Sequence, residues 1–253
     1  MYTHINTGSE EEFVQKAFEV LLKQIEKCQR DGSWFDRAHH DIKLTMTRRH
    51  FSEIPQPSCT IGLSGGSTPR HLYEALGRTK LAWKNIHLFL ADERYVPADD
   101  PDSTQGMIRK TLLKHAHIPE ENLVFPETSL PLHSCITTYQ RALQVLCKTY
   151  PPDICILGLG SDGHITSLFP PLTDAAFSEE KTVIHTTTDT FAVHDRISLT
   201  LPALTQAQNF IFLLKGEEKK NTWEEMLEST EDERRWPAKY ILERGNVTVV
   251  TWW

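Results

Sequence analysis

The chain has 253 residues, 39% of them apolar and 24% charged, with a formal net charge of −7 and a pI near 5.9. That balance fits a globular protein with a continuous core, and it excludes a nucleic-acid binder, which needs clustered Lys and Arg. The densest basic run, Arg48-Arg49-His50, is too short to form such a patch.

No apolar stretch approaches the ~20 residues of a membrane helix, and no basic-then-apolar leader opens the sequence. A cytoplasmic protein is expected. The five cysteines (Cys28, Cys59, Cys135, Cys147 and Cys155) are odd in number and show no C-x-x-C spacing. A reducing compartment fits this usage better than a disulfide framework. Cys59 and Cys155 sit in apolar runs and read as small buried hydrophobes.

Along the chain, Phe13, Val14, Phe18, Leu21, Leu22 and Ile25 recur at helical spacing and predict a helix over 9–30. Ser9 and Glu12 form a capping-box pattern at its start. Ile42, Leu44 and Met46 alternate as in a strand, and Pro55 and Pro57 break the pattern. Strands then read at 59–63, 86–91, 123–125, 153–159, 183–186, 196–200, 210–214 and 247–251. Helices read at 69–77, about 103–115, about 134–150 and 217–228.

Short, nearly continuous apolar strands alternating with helices predict an α/β fold. It is a single Rossmann-like domain over 1–253, its mostly parallel sheet covered by helices on both faces. Ligands bind such sheets beyond the carboxyl ends of the strands. Attention therefore falls on the segments after residues 63, 91 and 159.

After the first of these strands comes Ser64-Gly65-Gly66-Ser67-Thr68-Pro69. Glycines allow close approach of a ligand, Thr68 is placed to cap the next helix, and Pro69 suits its first position. Gly65, Gly66, Ser67 and Thr68 thus read as a phosphate cradle at a helix N-terminus. A plain strand-to-helix turn reads equally well from these residues alone. The loop carries no Lys and lacks the G-x-x-x-x-G-K-[ST] pattern, so nucleotide triphosphate use is not supported.

Gly158-Leu159-Gly160-Ser161-Asp162-Gly163 matches G-x-G-x-x-G. A dinucleotide fingerprint must open a full helix, and Pro170-Pro171 follows too soon for one. The same loop holds Asp162-Gly163-His164. A histidine just past a strand end suits a general base at neutral pH, and Asp162 is placed to orient it or balance its charge.

Asp92-Glu93-Arg94 sets three charges against the apolar end of another strand. A carboxylate such as Asp92 would support acid–base work, and Arg94 would bind an anion or polarise a carbonyl. A solvated charge cluster is the plainer alternative. Arg196 is a second candidate phosphate ligand or, equally, an edge-strand charge. Asp162 and His164 make a weak metal pair without accompanying ligands, and no G-x-S-x-G elbow is present.

Taken together, these loops carry a resemblance. Leu63 to Arg70, Asp92-Glu93-Arg94 with Val96-Pro97 and Asp100 to Ser103, Gly158 to His164 through Ser167 to Pro170, and Arg196 to Pro202 resemble the 6-phosphogluconolactonases. The similarity runs from about residue 59 to the C-terminus, with four motifs in order. It implies an α/β domain related to the amino-sugar-phosphate isomerases, and hydrolysis of a phosphorylated sugar lactone in the oxidative pentose phosphate pathway. It implies no metal, organic cofactor or obligatory protein partner, and it places the base on His164.

Three departures accompany it: residues 31–57 are long for the link they occupy, Thr166 replaces a common Ala, and Pro171 replaces a common Gly. The related deaminases carry a glutamate five residues after the histidine, where Phe169 stands here. An isomerase or deaminase, and a sugar-phosphate-binding module without catalysis, remain the alternatives.

Overall fold

The computed structural model describes residues 2–31 and 58–253. The strand expected around Ile42, Leu44 and Met46 and the breaks at Pro55 and Pro57 lie outside them.

In chain order the elements are β1 (Thr3–Asn6), α1 (Glu10–Asp31), β2 (Cys59–Leu63), α2 (Arg70–Gly77), β3 (Ile86–Leu90), β4 (Asp92–Arg94), α3 (Thr104–Lys110), β5 (Leu123–Val124), α4 (Leu132–Thr149), β6 (Ile154–Leu157), β7 (Val183–Thr187), β8 (Asp195–Leu199), α5 (Leu201–Leu204), β9 (Asn209–Lys215), α6 (Glu217–Glu228), α7 (Pro237–Arg244) and β10 (Asn246–Trp252). Seven strands form one sheet in the order β1-β10-β9-β6-β2-β3-β5. Every pairing in it is parallel. A second sheet, β4-β8-β7, is antiparallel.

Strand alternation divides the core into two layers. Ile61, Leu63, Leu88, Leu90, Ile211 and Leu213 pack with Phe13, Leu21 and Ile25 of α1 and with Leu72, Tyr73 and Leu76 of α2. The opposite face presents Phe89, Leu157, Phe210 and Phe212 to Tyr139 and Leu143 of α4, Trp223 of α6 and Ile241 of α7. Helices therefore cover both faces, as the continuous apolar strands require. Truncating one of these buried phenylalanines to Ala would cost about 3–5 kcal/mol.

The long first helix begins as its sequence directs. The Ser9 hydroxyl accepts the Glu12 N–H at 3.2 Å, and the Glu12 carboxylate accepts from Gly8 N–H rather than from Ser9. Glu10 to Glu12 in the first turn and Arg30 in the last suit the helix dipole. The helix expected over about 103–115 stops at Lys110, where the Thr111 hydroxyl bonds back to the Met107 carbonyl at 2.8 Å.

From β2, beside the central β6, the chain steps to β3 and β5 on one side, then returns through β6 and β9 on the other. That reversal opens a crevice between the ends of β2 and β6. The small sheet closes one side of it, because β4 continues directly from β3 and pairs with β8. All five cysteines are free thiols, and Cys59 and Cys155 are fully buried. Among the described residues no helix is long and apolar enough to cross a membrane.

Candidate active site

A cavity of about 240 Å³ occupies the crevice and is lined by the loops after β2, β3 and β6, with residues from β8 and α6. Gly65, Gly66, Ser67, Thr68, Asp92, Arg94, His164 and Arg196 all line it, and Asp162 lies directly behind His164.

The loop after β2 differs from expectation at one point. Helix α2 begins at Arg70 with Pro69 in the capping position, and no side chain caps it. Thr68 is not the cap: Pro69, in the right-handed helical region (φ −81°, ψ −5°), takes the capping position and sets Thr68 one residue farther out. Tyr73 donates to the Ser64 carbonyl at 2.9 Å and holds the loop from below. The Ser64 hydroxyl lines the cavity, buried and without a protein partner.

The charged triplet is strand β4, and strand alternation assigns its roles. Asp92 and Arg94 line the cavity, while Glu93, at 0% exposure, points away from it. Glu93 accepts from the N–H groups of Thr104 (2.6 Å) and Gln105 (2.7 Å) at the start of α3, and from the Ser103 hydroxyl. Burial pushes its carboxyl above the usual range, and these backbone donors pull against that shift. Asp92 accepts from the Ser167 hydroxyl at 2.7 Å, tying β4 to the loop after β6.

Arg94 is in register with Arg196 of β8. Arg94 donates to the Asp102 carbonyl at 2.6 Å, and its buried Nε has no protein partner. Arg196 donates from Nε to the Val193 carbonyl at 2.8 Å, and its guanidinium lies 5.8 Å from the Phe169 ring centre. Burial, then the charge of Arg94, lowers the pKa of Arg196 below the ordinary arginine value. Neither arginine forms an ion pair among the described residues.

After β6 the chain makes a tight turn closed by Gly160 N–H donating to the His164 carbonyl at 2.7 Å. Inside it, Asp162 Oδ1 lies 2.5 Å from His164 Nδ1. Burial works to raise the Asp162 carboxyl, but its hydrogen bond to His164 and the His164 charge prevail and hold it below the ordinary value. A Cβ on Gly160 would overlap His164 Nδ1, so the pair fits only against a glycine. No helix opens here; the segment runs through turns to Pro170, so the dinucleotide fingerprint lacks the helix it needs.

Two residues lining the cavity, Lys219 and Phe191, were not among those expected. Lys219, in the first turn of α6, lines the cavity, and burial lowers its pKa. Phe191, on the loop between β7 and β8, also lines it, its ring 5.1 Å edge-on from His164. Phe169 packs 4.7 Å from His164 on another side. A further group with metal-ligand spacing among the described residues, Cys28, Cys59 and Asp153, lies at the amino ends of β2 and β6, away from the cavity. Burial, then Cys28, raises the Cys59 thiol, and Asp153 is engaged by Thr60 N–H and Gln208 as a structural carboxylate.

The family model for glucosamine-6-phosphate isomerases/6-phosphogluconolactonase matches residues 9–252. The chain belongs to this family. A probable 6-phosphogluconolactonase of Dictyostelium discoideum is 40% identical over 194 residues, covering 75% of this chain and 82% of that protein. A Synechocystis 6-phosphogluconolactonase is 37% identical over 194 residues, covering 74% and 79%. The crystal structure of 6-phosphogluconolactonase from Thermotoga maritima superposes with a TM-score of 0.80 at 28% identity, over 100% of this chain and 99% of that one.

Proposed function

We propose that this chain hydrolyses 6-phospho-D-glucono-1,5-lactone to 6-phosphogluconate, the lactone step of the oxidative pentose phosphate pathway, in the cytoplasm. The observation that carries the reading is one cavity joining the Asp162–His164 pair to three cations, Arg94, Arg196 and Lys219. The curated relatives support it, and the family match over 9–252 supports reading the chain as one lactonase domain.

In this reading the phosphate docks on Gly65 to Thr68, with Arg196 and Lys219 supplying charge. Asp162 accepts a hydrogen bond from His164 Nδ1–H, which leaves Nε2 as the base. Nε2 removes a proton from water as the water oxygen bonds to C1. Arg94 stabilises the oxyanion that develops on the carbonyl oxygen. The C1–O5 bond then breaks, and protonated His164 returns its proton to O5. Asp92 fixes the loop after His164 through Ser167. Phe169 occupies the place where a ring-opening acid would stand, and lactone hydrolysis needs none.

The test is the initial rate on freshly generated lactone against an enzyme-free control, since the lactone also opens spontaneously. A rate far above background supports the reading. No excess from folded protein defeats it, and ammonia release from glucosamine 6-phosphate would then assign the isomerase branch.

A further inference from the structure

The turn from Gly160 to His164 has its shape set by its own hydrogen bonds, Gly160 N–H to His164 and Gly163 N–H to Gly160. Those bonds do not fix its direction relative to the cavity. Among the described residues, two side chains from outside reach its backbone carbonyls: Thr222 donates to Ser161 at 3.2 Å, and Arg235 Nη1 donates to Asp162 at 2.9 Å.

Arg235 is held for this task. Its guanidinium stacks 3.7 Å from the Trp236 ring centre, and Glu225 of α6 lies 3.9 Å from its other terminal nitrogen. The Trp236 ring, at 1% exposure, lies beneath the turn. At Gly163 the chain has φ +89°, and a Cβ there would sit 2.7 Å from Trp236 Cζ3 and 3.0 Å from Arg235 Nη1. The turn therefore rests on a flat plate made of Trp236 and the Arg235 guanidinium. Asp162 is gripped at both ends: Arg235 holds its carbonyl and His164 its carboxylate.

We infer that Arg235, backed by Trp236, is a positioning residue that aims the Asp162–His164 pair into the cavity. The inference rests on His164 being the base. A misplacement of about 1 Å in a reacting group costs on the order of 10²-fold. Losing the Asp162 anchor while keeping the fold should act on turnover rather than on binding, because Arg235 does not line the cavity.

The full-length chain carrying R235M, R235K or H164A is assayed on freshly generated 6-phosphogluconolactone, with thermal midpoints measured alongside. R235M keeps the apolar stem on Trp236. It should lower kcat about 10- to 100-fold, with KM within about twofold of wild type and the thermal midpoint unchanged. R235K, which keeps a donor but loses the planar stack, should recover part of kcat, and added guanidinium should rescue R235M. Wild-type kcat in R235M while H164A is inactive overturns the positioning role alone. A loss that tracks the unfolded fraction and disappears on cooling also overturns it. Full activity in H164A removes the base reading and this inference with it.

Discussion

Arg94 and Arg196 face each other across the β4–β8 ladder, both lining the cavity, and among the described residues neither forms an ion pair. Like charges directly opposite on a sheet repel, so the pair is stable only if an anion completes it or if hydrogen bonds to carbonyls hold it apart. Here both arginines donate to backbone carbonyls and keep charge in reserve for the cavity. R94M should lower kcat by about 10²–10³-fold, the usual loss for one oxyanion donor. R196M should mainly raise KM. The double variant should fall short of the product of the single effects, because neighbouring sites couple. Steady-state kinetics on the three variants checks this.

His164 and Asp162 should fail differently. H164A should lose about 10²–10⁴-fold in catalysed rate, the usual share of a general base. D162N leaves the ring in place but removes the charge that selects its tautomer, so kcat should fall while KM stays near wild type. Comparing kcat and KM for both variants decides between a working pair and an incidental contact.

Glycine at 160 is required by the space the pair occupies. G160A would press its methyl into His164 and Asp162. It should abolish turnover while leaving the far-ultraviolet circular dichroism spectrum of the protein intact. Activity near wild type would show that the turn can shift without harm.

Glu93 is an acidic residue buried between the cavity-lining Asp92 and Arg94, and its bonds are structural. E93A leaves the Thr104 and Gln105 N–H groups without their acceptor and should destabilise the protein by about 2–4 kcal/mol. Urea denaturation should report this loss, and kcat of the fraction that remains folded should change little.

His87 of β3 is buried against Tyr150, the rings stacked 4.1 Å apart, and burial lowers its pKa below the ordinary histidine value. The unfolded chain then binds a proton at a higher pH than the folded one. Stability from neutral His87 is present above about pH 6.5, the ordinary value, and is lost as the pH falls through the folded pKa. H87Q should flatten the decline in urea midpoint between about pH 7 and pH 5. An identical pH slope in both proteins would exclude the contribution.

The parallel sheet was legible because its strands are buried on both faces and read as unbroken apolar runs. Strand β4 was not, since its three charged residues serve two sides: Asp92 and Arg94 the cavity, Glu93 the start of α3. Strand β1 is a short, mostly exposed edge with little apolar signal. Thr68 looked like a cap because the residue type and spacing were right; the path of Pro69 decided otherwise. The Gly160 to His164 turn could be read as a site from a single stretch of sequence.

Lys219 shows the limit from the other direction. Its helix was legible, but which way a lysine points is not. One signal was present: a cation in the first turn of a helix opposes the dipole preference, and such a placement asks for a reason. Arg235 offered no comparable signal, because its partner is a backbone carbonyl far away in the chain.

The proposed base, His164, and Asp162 lie two residues apart in one turn, whereas Arg94, Arg196 and Lys219 meet only once β4 has paired with β8 and α6 has docked. In the proposed mechanism the proton-transfer pair is thus a local structure, and the anion-binding half is a product of assembly. During refolding, the turn after β6 has little chain to close, while the arginine pair must wait for a distant ladder. Recovered turnover should therefore follow the last long-range pairing, and a partly assembled chain would hold its base ready with nothing to present a lactone to it.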